Sequence, residues 1–167
     1  MTPSDFLPES ETMEQNQAPA FGIEKLYVKD FSVEVPNAPK IFLERENPEI
    51  AVQLNNETTP IDEGVFEVVL TVTVTAKIGD KTVFLVEVGQ AGVFRIVNIP
   101  DEQMEPLLAV ACPNVLFPYA REAVSDAILR AGFQPLVLQP VNFEAMYVAR
   151  LEERQQQQSA PQAAPLQ

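Results

Sequence analysis

The sequence contains no histidine and no tryptophan, and it has a single cysteine, Cys112, among its 167 residues. Without histidine the chain cannot form a Ser-His-Asp or Cys-His catalytic arrangement or a histidine-ligated metal site. One cysteine cannot close an internal disulfide bond or supply a thiolate cluster for zinc. With no base to activate it, Cys112 is expected to be a buried structural thiol. The sequence therefore predicts no enzymatic activity, no cofactor and no metal site.

Basic side chains are also scarce, since 11 Lys and Arg residues face 24 Asp and Glu residues and the net charge is −13. An acidic excess of this size repels the phosphates of nucleic acids, so binding to nucleic acid is not expected. The same field would attract a basic partner surface. Acidity that only keeps the protein soluble is an equally good explanation at this point.

No apolar run reaches the roughly 18 residues that a membrane-spanning helix needs. Residues 1–5 (MTPSD) lack the basic segment and the apolar stretch of a secretory signal peptide. A lone cysteine suits a reducing compartment. A cytoplasmic protein that does not insert into the membrane is therefore expected.

Composition divides the chain into three parts. Residues 1–20 are rich in Pro, Glu, Gln and Ser and predict a disordered N-terminal arm. Residues 155–167 begin with four glutamines, have low complexity and predict a disordered C-terminal tail. Residues 21–154 are expected to form a single folded domain with its own core.

Alternating hydrophobicity predicts antiparallel strands in the first half of this domain. From Phe66 to Ile78 every second residue is apolar, which indicates a strand with one face in the core. The turn signal Gly79-Asp80 and the β-rich residues 82–97 complete a hairpin. Residues 23–35 predict a further strand with Tyr27, Phe31, Val33 and Val35 on one side. Ile50, Val52 and Leu54 alternate with polar residues in a short strand or an extended crossover.

The pairing register of the hairpin follows from where its charges can lie. A two-residue loop would put Glu87 beside the apolar row of the first strand. A three-residue, bulged loop sets Val74 against Phe84 and turns Leu85 and Glu87 to the threonine-bearing face. The bulged turn is therefore favoured.

Two acids of the first strand, Asp30 and Glu34, are four residues apart on one face. With Leu85 and Glu87 they could form a flat acidic patch with an apolar centre, suited to a basic partner surface. A sheet face that is merely wetted by solvent is the alternative.

Helices are predicted in the second half. Pro118 suits a first turn and Gly132 a C-terminal stop, and an apolar stripe lies between them. A short helical segment near residues 103–111 precedes it, and another helix begins after Asn142 as N-cap. Strands followed by helices predict an α+β fold, with an antiparallel sheet of about four strands and helices layered on one face.

Five segments carry a family pattern: residues 30–34 (DFSVE), 36–39 (PNAP), 84–88 (FLVEV), 112–122 (CPNVLFPYARE) and 140–143 (PVNF). In order and spacing they resemble the SecB protein-export chaperone family. The resemblance covers about residues 21–152, so it also implies a SecB-like fold. It implies a cytoplasmic, bacterial, ATP-independent holdase that binds unfolded precursor proteins and passes them to the SecA translocation motor. It further implies a homotetramer built as a dimer of dimers.

The resemblance also implies roles for individual residues. Glu46 departs from the pattern, because an aromatic residue is expected before Asn47 in this family. A SecB-like chaperone that serves a toxin–antitoxin pair is the alternative function, and the acidic patch favours export. The implied sites are SecA contact by Asp30, Glu34, Leu85 and Glu87, client binding in an apolar groove by Ile50, Val52, Leu54 and Tyr147, and tetramer assembly affected by Val86, Val88 and Gln90.

Overall fold

The computed structural model describes residues 18–159, which form one antiparallel sheet followed by helices. The strands are β1 (Ala20–Glu34), β2 (Glu49–Asp62), β3 (Val65–Ile78) and β4 (Lys81–Val97), in the order β1-β4-β3-β2. Helices cover one face of this sheet, so the predicted α+β class is confirmed. Residues 1–17 and 160–167, with most of the predicted arm and tail, lie outside the described residues.

The core lies between β3, β4 and the long helix that follows them. Side chains of β3 alternate strictly, and Val68, Leu70, Val72 and Val74 are fully buried while the threonines between them are half-buried. This follows from the period of two seen in the sequence, because successive side chains of a strand point to opposite faces. We call the buried side the helix face and the threonine side the outer face.

The β3–β4 register differs from the predicted one. The loop is a two-residue turn that pairs Ile78 with Lys81, and an extra residue, Val83, then bulges out of β4. Val74 consequently lies opposite Val86, so the predicted pairing with Phe84 was wrong by two residues. A shift of two keeps every side chain on its face. The predicted placement of Leu85 and Glu87 on the outer face is therefore confirmed, opposite Thr75 and Thr73 respectively.

A second bulge corrects the prediction for β1. Its register against β4 shifts between Val28 and Asp30, where Lys29 is the extra residue. Tyr27 thereby lies opposite Ala91 on the outer face, whereas Phe31 lies opposite the buried Val88. The prediction that Tyr27 shares the side of Phe31 was wrong, because an inserted residue reverses the alternation beyond it.

The predicted short helical segment near residues 103–111 is present, but the long helix that follows it begins earlier than predicted. α1 (Asp101–Pro106), a π-helical turn (Leu107–Ala111) and α2 (Cys112–Arg130) follow one another without a break, so the predicted start at Pro118 was wrong. A proline inside a helix removes a backbone donor, and here the packing of a buried stripe outweighs that loss. The predicted stop is confirmed, since Gly132 has φ +90°. The buried stripe of α2 consists of Leu116, Phe117, Ala120, Ala123, Val124, Ala127 and Ile128.

α3 (Phe143–Ser159) starts where the sequence predicts. Asn142 Oδ1 accepts a hydrogen bond from the backbone N–H of Ala145 at 2.9 Å, which is the expected N-cap. The helix continues through residues 155–158, beyond the predicted domain boundary at residue 154, because glutamine is a good helix former. Within residues 18–159, no helix is both long and apolar enough to cross a membrane.

Candidate functional site

An open apolar groove lies beside the edge strand β2, on the helix face. The register pairs Ile50 with Ala76, Val52 with Val74 and Leu54 with Val72, so these three side chains continue the core row to the edge of the sheet. They remain accessible there, and Ile50 and Val52 are 41% and 42% exposed. Together with Phe117 and residues 136–141 they line a groove of about 420 Å³. The structure thus brings together three of the four predicted client residues.

The second wall of the groove is an extended segment that the sequence reasoning did not identify. Residues 133–142 contain no helix or strand, and Pro135 and Pro140 bracket the apolar run 136–138. Leu138 is buried and anchors the segment, whereas Val137 is 67% exposed. An apolar run between two prolines was the available signal, since proline disfavours a regular ladder or helix there.

Tyr147, the fourth predicted client residue, lies next to this groove but not in it. It lines a cavity of about 20 Å³ together with Asn56, Leu70 and other residues from β2 and α3. Leu54 borders both this small cavity and the open groove. Leu54 is thus the point of contact between them.

Glu46, at the position where the family pattern predicts an aromatic residue, is exposed, and Phe42, Phe84 and Phe133 form an aromatic cluster. The ring of Phe133 lies 5.3 Å from that of Phe42 and 5.2 Å from that of Phe84, measured between centroids. Phe42 is 50% exposed, so this cluster retains an accessible aromatic surface.

The predicted acidic patch forms on the outer face. The β1–β4 register sets Glu34 opposite Leu85 and Ser32 opposite Glu87, while Asp30 lies opposite Gly89. Asp30, Glu34, Leu85 and Glu87 are therefore neighbours on two adjacent strands, as the sequence predicts. A Cβ at Gly89 would lie 3.3 Å from that of Asp30, so the glycine permits the close approach of β1.

Electrostatics separate this patch from the other end of the same face. Glu24 pairs with Arg95, and Glu67 pairs with Lys29 and accepts a short hydrogen bond from the hydroxyl of Tyr27. The Lys29 ammonium and the Tyr27 hydroxyl lower the pKa of Glu67, and in turn the hydrogen bond to Glu67 raises the pKa of Tyr27 to about 12.

In the part of the chain that the structure describes, no ion pair neutralises Asp30, Glu34 or Glu87. Glu87 accepts a hydrogen bond from Thr73 Oγ1, at 3.0 Å. One end of the outer face is thus balanced in charge, whereas the patch presents uncompensated carboxylates. Such a surface suits a partner that carries Lys or Arg.

The three predicted assembly residues lie inside the protomer. Val86 and Val88 are fully buried on the helix face, and Gln90 is 4% exposed with Nε2 donating to the backbone oxygen of Tyr27 at 3.1 Å. Their side chains are therefore not part of the protomer surface. Any effect on assembly would pass through the packing of the sheet against α2.

Cys112 is fully buried in the core, which agrees with the predicted structural thiol. Burial raises the pKa of this thiol to about 12, so it stays protonated and unreactive at neutral pH. Residues 18–159 hold no cluster of three or more side chains of the kinds that bind metal ions.

Comparison with known proteins gives a consistent result. A family model described as "Preprotein translocase subunit SecB" matches residues 14–155. The chain is 71% identical to the protein-export protein SecB of Dechloromonas aromatica over 155 residues, covering 93% of this chain and 100% of that protein. It is 66% identical to the SecB of Aromatoleum aromaticum over 137 residues, covering 81% of this chain and 86% of that protein.

A solved structure supports the fold. A SecB-like chaperone of Mycobacterium tuberculosis, in complex with a ChAD peptide from an antitoxin, superposes with a TM-score of 0.61. The two share 18% identity, and the match covers 73% of this chain and 91% of that chain. On the sequence motifs, the sheet topology and these matches together, the chain belongs to the SecB family of protein-export chaperones.

Proposed function

We propose that this protein is an ATP-independent, cytoplasmic holdase. It binds unfolded precursor proteins in the apolar groove, keeps them competent for translocation and delivers them to the SecA motor through the acidic patch. The observation that carries this proposal is the separation of the two surfaces. The groove lies on the helix face beside β2, and the patch lies on the outer face across β1 and β4.

The groove has the properties that a holdase needs. Unfolded chains expose apolar segments in no fixed order, so an open groove lined by aliphatic side chains serves better than one tight pocket. Binding these segments competes with folding and aggregation for the same side chains. Gly89 and Gly92, the closely spaced glycines of the sequence, lie inside β4 and do not form a phosphate loop.

A homotetramer, assembled as a dimer of dimers, would increase affinity without new contacts. Several grooves on one particle let a single client wrap around it, so weak contacts add through a high effective concentration. Val86, Val88 and Gln90 would influence this assembly through the protomer core in which they are buried. Light scattering that returned only a monomer would contradict this part of the proposal.

Delivery to SecA would rest on charge complementarity at Asp30, Glu34 and Glu87, with Leu85 as the apolar centre. Charged patches raise association rates and select partners. In this proposal SecA shifts the client out of the groove by offering a competing contact of higher affinity than the groove itself.

The experiment neutralises the patch without changing its shape. Asp30→Asn with Glu34→Gln should weaken SecA binding about tenfold in isothermal titration calorimetry, because each change removes one unpaired charge. The same double variant should hold a reduced and alkylated, permanently unfolded protein as well as the wild type does. Glu144→Gln with Glu152→Gln is the matched control, since it removes the same charge from exposed positions on α3.

Unchanged SecA affinity in the patch variant would contradict the assigned contact. An equal loss in the α3 control would mean that only net charge matters. Client identity provides a further check by pull-down from the native cytoplasm. Recovery of exported precursors supports the proposal, whereas recovery of a single antitoxin would favour the toxin–antitoxin alternative.

A further inference from the structure

The π-helical turn leaves one backbone acceptor without a donor from its own helix. The N–H of Cys112 donates to the carbonyl of Leu107, five residues back, instead of to that of Leu108. The next residue is Pro113, which has no N–H. The carbonyl of Leu108 therefore has no helix donor in either the α or the π register.

A side chain from the sheet supplies this missing donor. Asn56 Nδ2 of β2 donates to the carbonyl oxygen of Leu108 at 3.2 Å, across 52 residues of sequence. Asn56 lies opposite Leu70, on the same helix face as the groove residue Leu54. Its other amide atom, Oδ1, is buried and has no hydrogen-bond partner within residues 18–159. Since a buried unpaired acceptor is unfavourable, an apolar residue would suit this position better if the donor were not needed.

The contact joins β2 to the π-helical turn by a hydrogen bond. β2 is an edge strand with a single sheet neighbour, β3, and it carries one wall of the groove. α3, which begins where the other wall ends, packs against the π-helical turn. A hydrogen bond from β2 to that turn therefore fixes the distance between strand and helices.

We propose that Asn56 is a positioning residue that sets the width of the client groove by replacing the backbone donor that Pro113 removes. It acts through the spacing of β2 and the π-helical turn and does not need to touch the client. This inference rests on the proposed function of the groove, and the test separates the two.

The test is a double-mutant cycle with wild type, Asn56→Ala, Pro113→Ala and the double variant. The probe is the dissociation constant for a reduced and alkylated, permanently unfolded protein, measured by fluorescence anisotropy. In the wild-type background, Asn56→Ala should weaken binding about fivefold, the range of one lost hydrogen bond. In the Pro113→Ala background residue 113 regains an N–H, the helix can satisfy Leu108 itself, and the same change should cost less than twofold.

A purely structural role for Asn56 would give the same fold-loss in both backgrounds, and that result would overturn the proposal. The matched control is Asn55→Ala, on the outer face of β2, which should leave binding unchanged. If Asn56→Ala has no effect while a charge at Val52 abolishes binding, the positioning role fails and the groove assignment stands. If neither change affects binding, the proposed function itself fails.

Hydrogen exchange keeps the proposal testable if Asn56→Ala folds poorly. Asn56→Asp keeps the size of the side chain and its acceptor oxygens but removes the donor at neutral pH. Amides of residues 107–111 should exchange several-fold faster in Asn56→Asp than in the Asn55→Ala control. Equal exchange rates in the two variants would contradict the proposal.

Discussion

At the scale of single residues, Val52 is the most direct probe of the groove. Its side chain is 42% exposed, so a charge there stays solvated and does not disrupt the core. Val52→Asp should weaken binding of an unfolded polypeptide about tenfold, because bound apolar segments would have to desolvate the carboxylate. Anisotropy or suppression of client aggregation measures this effect.

The adjacent residue provides the control for this prediction. Gln53 is exposed and points to the outer face, opposite Thr73. Gln53→Asp places the same charge one residue along the same edge strand and should leave client binding within twofold of the wild type. A similar loss in both variants would show that charge on β2, and not the groove, is responsible.

Cys112 gives a prediction for the pH dependence of stability. Burial raises the pKa of its thiol from 9.0 to about 12. Above pH 9 the unfolded chain releases this proton while the folded chain keeps it, so the free energy of unfolding falls as pH rises, by up to about 1.4 kcal/mol per pH unit. Urea denaturation between pH 8 and pH 10 should show a shallower decline in Cys112→Ala than in the wild type. Parallel curves would mean that the thiol ionises freely in the folded protein.

At the scale of elements, the end of α2 depends on a glycine. Gly132 has φ +90°, and a Cβ at this position would lie 3.3 Å from Cε1 of Phe42. Gly132→Ala should lower the free energy of unfolding by about 1–2 kcal/mol, as both the left-handed backbone and the close contact disfavour a side chain. Urea denaturation measures the change.

Gly22 of β1 is the matched control, since it has no atom within 4 Å of a built Cβ and no positive φ. Gly22→Ala should change stability by no more than about 0.5 kcal/mol. Losses of the same size in both variants would indicate that strain at Gly132 is not the cause.

The elements also show what can be read from local sequence. β3 was predictable because its alternation is uninterrupted from Phe66 to Ile78 and a period of two fixes both faces. The extra residues Lys29 and Val83 were not, because a bulge is selected by the partner strand and leaves little trace in local sequence. The start of α2 was also predicted wrongly because of a proline. Burial of the apolar stripe of α2 outweighed the local preference of Pro118 for a first helical turn.

The same distinction holds for the candidate site. The acidic patch could be predicted because residues two or four positions apart in a strand lie on the same face. Sequence and family pattern together therefore grouped Asp30, Glu34, Leu85 and Glu87. The two walls of the groove, β2 and residues 136–141, face each other only in the tertiary structure. No local sequence pattern specifies that they meet. The contact between Asn56 and Leu108 spans 52 residues and is of the same kind.

At the scale of the whole molecule, which carries a net charge of −13, the two proposed binding activities should respond differently to salt. Raising the salt concentration from 0.1 M to 1 M shortens the screening length from about 10 Å to about 3 Å. SecA binding through exposed carboxylates should weaken markedly, whereas binding of unfolded polypeptides in an apolar groove should persist or strengthen. Titrations of both ligands over this range measure the effect. A parallel loss of both affinities would contradict the assignment of the two surfaces.

The position of the two surfaces on opposite sides of one sheet has a consequence for how SecA would recognise a chaperone that carries a client. In the proposed cycle the client and SecA bind different residues, so an empty chaperone and a loaded one would present the same outer face. If SecA contacts only that face, its affinity does not depend on whether a client is bound in the groove. In the proposed cycle SecA must therefore contact the bound client directly. A chaperone without a client would occupy a binding site on SecA until it dissociates.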